Sequence, residues 1–227
     1  MNFDALIAAT LAAFEPLTCQ PLELAANLAR IQRPEVDGDL VMATQFFDVN
    51  ARGELRIVHI FAPKIKVLTL FFFPDANWQL PVYCMELVVF GEQPIVALID
   101  GVCLQPMDCG SLVEGILDTA HQKNPQFQQA EDTPEWFQAC RSGRDFFIRP
   151  ENMAVMGDLA AVHLQLMPQL ATLIQDARQF PEQQTQQYQH VLQEYKHHHR
   201  IHAPGLKLMN RSFGEAWTAN YMHTLFN

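Results

Sequence analysis

The run VYCMELVVF (82–90) carries the residue whose placement most needs a chemical explanation. A strand alternates its side chains with period 2, so Val82, Cys84, Glu86, Val88 and Phe90 share one face, and Glu86 is a carboxyl group on an apolar surface. Desolvation disfavours the charged form of such a group and raises its pKa. An acid still protonated near neutral pH is placed to donate a proton. The plainer alternative is a glutamate paired with an Arg or His from an overlying helix, which perturbs a pKa equally well. Thr69 is a second polar break, in the otherwise apolar face Val67, Phe71 and Phe73 of IKVLTLFFF (65–73). It either packs as a small residue with a local hydrogen bond or touches a ligand. His163 falls on an apolar helical stripe, where a core histidine with satisfied nitrogens is the expectation.

The positive charge is concentrated late in the chain. Lys196, Arg200, Lys207 and Arg211 lie within a segment that also holds His197, His198, His199 and His202. Neighbouring helical side chains diverge by about 100°, so three histidines in a row cannot share one metal. His190, Glu194 and His198 do share a helix face at i, i+4 spacing, which suits a divalent ion; a solvated helix surface is the simpler reading. No metal site is predicted. The five cysteines (19, 84, 103, 109 and 140) are an odd count with no CxxC pair, and most are expected to be reduced, buried thiols.

These groups need a frame. The 227 residues, 49% of them hydrophobic, are enough for one large domain, 1–227, with a sizeable core. Five apolar runs read as strands: 40–47, 54–62, 65–73, 82–90 and 95–100. DFFIRP (145–150) is a sixth candidate. Turn-forming stretches such as PDANWQLP and GEQP favour antiparallel neighbours. Residues 65–73 are apolar on both faces, which predicts helices in front of and behind the sheet. Helices are predicted over 3–14, 21–31, 110–121, 134–140, about 151–178 with a kink at Pro168, 182–200 and about 206–224. The expected fold is therefore α+β, a three-layer α/β/α sandwich around an antiparallel sheet.

A net charge of −10 argues against nucleic acid or an anionic membrane as partner. No N-terminal signal pattern and no run of about 20 apolar residues is present, so the expected location is cytoplasmic.

Four stretches resemble the ferredoxin-dependent bilin reductases, among them the phycocyanobilin and phycoerythrobilin:ferredoxin oxidoreductases. They are FFFPDANWQLPVYCMELVVFG, IVALID with a nearby QP, FFIRPEN, and SFGEAWTANYMHTLFN; together they span about 65–227 in order. The resemblance implies a bilin such as biliverdin IXα held between the sheet and the C-terminal helices. It implies no resident cofactor: electrons come singly from reduced 2Fe–2S ferredoxin, and side chains supply protons. It further implies as partners a haem oxygenase or a bilin-accepting protein. By the same resemblance Glu86 stands where the family generally has its central aspartate, the catalytic acid. Thr69 aligns with a position that is His, Asn or Asp elsewhere and can only hydrogen-bond. His202 falls near a catalytic Asp or Asn before the last helix, and an alignment shift would put Ala203 there instead. His59 is the nearest candidate for a charged pocket residue on the preceding strand. Arg149 either receives a propionate or braces its strand, and Lys207 or Arg211 assists in holding propionates.

The expected function is reduction of biliverdin IXα or a dihydrobiliverdin to a phycobilin-type product through a sheltered radical intermediate. The altered polar positions leave a non-catalytic bilin carrier on the same fold as the alternative, and a metal-binding protein built on the His190 face as a third reading.

Overall fold

The computed structural model describes residues 1–107, 113–127 and 129–227. Its centre is the meander predicted from the apolar runs: β3 (Leu40–Val49), β4 (Gly53–Phe61), β5 (Ile65–Pro74), β6 (Val82–Phe90) and β7 (Gln93–Val102), each antiparallel to the next. The short strand β8 (Phe146–Ile148) pairs with β7 at one edge. At the other edge, β1 (Cys19–Leu22) and β2 (Arg30–Arg33) divide the free side of β3 between them. The sheet has eight strands in the order β1-β3-β4-β5-β6-β7-β8, with β2 beside β1 on β3.

Helices cover both faces, as the two-sided apolar strands require. Against one face lie α1 (Phe3–Ala12), α3 (Val113–Lys123) and α5 (Met153–Gln175), packed on Leu55, Ile57, Leu68, Leu70, Met85 and Leu87. Against the other lie α4 (Glu135–Gln138), α6 (Glu182–His202), α7 (Leu206–Phe213) and α8 (Glu215–Leu225), packed on Val58, Ile60, Phe71, Phe73, Val82 and Cys84. The result is the α/β/α sandwich expected. His163 of α5 is fully buried, with Nε2 2.8 Å from the Thr10 hydroxyl and Nδ1 2.7 Å from the Tyr83 hydroxyl. It is the satisfied core histidine predicted. Burial lowers its pKa to about 3, so the ring is neutral.

The N-terminal third departs from expectation. Residues 21–31 form no helix of that length; they supply β1, the one-turn helix α2 (Ala26–Ala29) and β2. A ten-residue β3 has an unpaired edge to satisfy, and backbone pairing there outweighs a weak helical pattern whose Leu22 stays exposed. Pro21 is tolerated because β1 lies at the sheet edge. At the C-terminus the single predicted helix is two, α7 and α8, divided at Gly214, whose φ of 88° favours glycine. The predicted helix 110–121 begins outside the described residues. α5 runs unbroken through Pro168. Cys19, Cys84 and Cys140 are free thiols and Cys103 is disulfide-bonded; Cys109 lies outside the described residues. No helix among the described residues is long and apolar enough to cross a membrane.

Candidate active site

Between the sheet and the C-terminal helices lies a cavity of about 430 Å³. Its floor is built from β4 to β7 by period-2 alternation: Val58 and Ile60, then Val67, Thr69 and Phe71, then Cys84, Glu86 and Val88, then Val96 and Leu98. Its roof is α7 and α8, through Met209, Tyr221, Met222 and Leu225. Polar ties hold that roof down. The Thr44 and Tyr221 hydroxyls are 2.9 Å apart, and the Arg56 guanidinium donates to the carbonyls of Leu225 and Asn227. Trp136 and Phe137 of α4 and His199 of α6 close the side.

Thr69 and Glu86 are directly opposite each other on β5 and β6. The Thr69 hydroxyl donates to Glu86 Oε2 at 3.3 Å. Glu86 is only partly buried as a residue, but it lines the cavity and has no ion-pair partner among the described residues. Burial raises its pKa, and the Thr69 hydrogen bond, which favours the carboxylate, opposes this less strongly. The helix-borne Arg or His of the plainer reading does not meet it.

Other candidates disperse. Arg149 is on the cavity rim, donating to both Asp132 oxygens (2.8 and 3.2 Å) and to the Ile95 carbonyl (3.4 Å). It braces its strand and still borders the cavity. His202 is exposed at the end of α6, its ring beside His198. The next residues, Ala203 to Gly205, line the cavity, so the chain reaches the site one position later than His202. Lys207 and Arg211 are exposed, while Leu208 and Met209 of the same helix line the cavity.

His59 belongs to neither group. It is on the opposite face of the sheet, with its ring 5.6 Å from Phe3 and its Nδ1 3.5 Å from an Asp4 oxygen. Burial lowers its pKa despite Asp4. The face is dictated by register: Val58 opposes Thr69, which turns His59 away from the cavity. Nor do the three proposed metal-face residues converge. His190 Nε2 is 3.4 Å from Glu194, whereas His198 Nε2 is 2.6 Å from the Trp136 carbonyl.

His199 was missed. It is 5% exposed, lines the cavity, and sits among Phe71, Trp136, Tyr195 and Phe226. The apolar stripe Tyr188, Leu192 and Tyr195 reaches residue 199 when carried one turn further, a signal hidden by the surrounding run of histidines.

A largely apolar cleft with a carboxyl–hydroxyl pair on its floor defines a small-molecule site suited to acid catalysis. Residues 8–227 match the family model described as ferredoxin-dependent bilin reductase, and the chain belongs to that family. Among solved structures it is similar to phytochromobilin synthase from tomato, crystallised in complex with biliverdin. The TM-score is 0.80 at 14% sequence identity, over 100% of this chain and 83% of the tomato one.

Proposed function

We propose that the cavity binds biliverdin IXα or a dihydrobiliverdin and that Glu86 protonates it while ferredoxin supplies electrons, giving a phycobilin-type product. The supporting observation is the cavity itself, which has Glu86 on its floor without an ion-pair partner among the described residues. Its volume is within the range of about 300–1,000 Å³ usual for small-molecule sites. The tomato protein of the same fold was crystallised with biliverdin.

Reducing one double bond consumes two electrons and two protons. The first proton raises the electron affinity of the tetrapyrrole, and Glu86 as a neutral acid can give it, leaving a carboxylate that the Thr69 hydroxyl steadies. Apolar walls exclude water while the singly reduced bilin awaits its second electron. Arg149, at the rim, is the one cationic side chain lining the cavity among the described residues and receives a propionate in competition with Asp132. Lys207 and Arg211, exposed on α7, instead belong with Arg200 to a basic patch on which ferredoxin docks.

The test is an anaerobic absorption time course with biliverdin IXα and reduced ferredoxin. The wild type is expected to form a bound-bilin spectrum and then a blue-shifted product. Glu86→Gln should bind equally well but turn over about 10²–10⁴-fold more slowly. Unchanged turnover in that variant removes Glu86 from the mechanism, and a bound spectrum inert to reduction in the wild type would favour a carrier.

A further inference from the structure

His199 contributes to the cavity wall a nitrogen whose protonation can be worked out. Its Nε2 is 3.6 Å from Cys140 Sγ. That thiol also lies 3.4 Å from the Phe137 carbonyl and 3.5 Å from the Trp136 carbonyl, both acceptors only. The single S–H is therefore engaged by the main chain, and burial pushes the Cys140 pKa up to about 12, keeping it a thiol. What remains for Nε2 is to donate to the sulfur, so Nε2 carries the hydrogen. Burial lowers the His199 pKa to about 3, so the ring is neutral and Nδ1 holds a free lone pair.

Among the described residues Nδ1 has no hydrogen-bond partner, and it is not one of the side-chain atoms sealed from open space without one. Of the rings around it, Tyr195 bears a hydroxyl, which is hydrogen-bonded to the Cys84 thiol, and Trp136 an indole N–H; among the described residues neither is hydrogen-bonded to Nδ1. An acceptor without a partner on an apolar cavity wall is costly unless a ligand or water completes it.

We propose that His199 is a substrate-binding residue that accepts a hydrogen bond at Nδ1 from a pyrrole or lactam N–H of the tetrapyrrole, with Cys140 setting its tautomer. This rests on the bilin reading of the cavity and adds to it a contact that orients the substrate. The acid, Glu86, is on the sheet, and the acceptor, His199, is on α6. A bilin whose N–H groups must face the helix presents a defined edge to the carboxyl. His199 is paired edge-on with Phe71, two residues along β5 from Thr69, so the wall acceptor and the floor's polar pair border the same stretch of β5.

The experiment titrates biliverdin IXα into the intact protein by absorption, comparing wild type with His199→Phe and His199→Asn. His199→Phe keeps the ring but loses the acceptor; binding should weaken roughly tenfold or more, and the bound bilin's long-wavelength band should shift. His199→Asn returns an oxygen close to the Nδ1 position and should recover much of both. Equal affinity and an unchanged band in His199→Phe, with the wild type binding normally, overturn the inference and leave the function standing. A wild type that binds no bilin overturns both. Should His199→Phe fail to fold, ¹⁵N-histidine NMR of the wild type decides: an Nε2–H tautomer whose Nδ1 resonance moves on adding biliverdin supports the inference, and an Nδ1–H tautomer overturns it.

Discussion

Glu86 and Thr69 act as one unit, because the hydroxyl donates to the carboxyl and so offsets part of the effect of burial. Removing the hydroxyl favours the neutral acid further. Activity that needs the protonated carboxyl declines as pH rises through its pKa, so Thr69→Val should move that declining limb to higher pH. A pH–rate profile for bilin reduction checks it, and a shift to lower pH would contradict the assigned donor. A second buried acid serves the fold. Asp100 is fully buried beside Ser142 and Asp145, and burial raises its pKa from 3.8 to about 6. The folded protein then binds more protons than the unfolded chain between those values, so Asp100's contribution to stability falls as pH rises from about 4 to about 6 and is level above. The difference in unfolding free energy between wild type and Asp100→Asn should decline by up to about 3 kcal/mol across that window, measured by urea unfolding at each pH. A rise across the same window would invert the sign and refute the assignment.

The sheet separates two groups of helices with different tasks. α1 and α5 are locked together behind it through Thr10, His163 and Tyr83, whereas α6, α7 and α8 frame the cavity in front. His163→Leu strands the buried Tyr83 hydroxyl and should cost roughly 1–3 kcal/mol in stability, read by urea unfolding. Biliverdin affinity should be unaffected, because the sheet lies between; a parallel loss of affinity would show the two layers to be coupled. These elements were legible in the chain to different degrees. The five long strands follow from apolar runs punctuated by turn residues, and their bounds moved by only a residue or two. Residues 19–33 were not legible, because their pairing is dictated by the free edge of β3 rather than by anything local. The break at Gly214 was visible as a glycine but read as helix interior.

Across the whole molecule charge is distributed against its average. The chain carries a net −10, yet Lys207 and Arg211 are exposed around the cavity's helical side, beside a half-buried Arg200 held between His197 and His223. Such a patch on an acidic protein directs encounter with an acidic electron donor more than it adds affinity. Ferredoxin-dependent turnover should fall steeply between low and physiological ionic strength. Lys207→Glu combined with Arg211→Glu should raise the KM for ferredoxin several-fold while leaving the bilin-binding spectrum unaltered. A ferredoxin KM indifferent to both salt and charge reversal would place docking elsewhere.

The local periods, the sandwich class and a carboxyl on an apolar strand face were all readable in the chain, as was the family resemblance. Each is written in residues a few positions apart, where side-chain alternation and turn chemistry operate. Which side of β4 faces the cavity was not readable, because that strand is apolar on both: Leu55 and Ile57 against Val58 and Ile60. Cross-strand register and helix packing decide it, and these bring together residues far apart in sequence. They turned His59 away, put Ala203 where His202 was expected, and set His199 over Phe71 beside the Thr69–Glu86 pair.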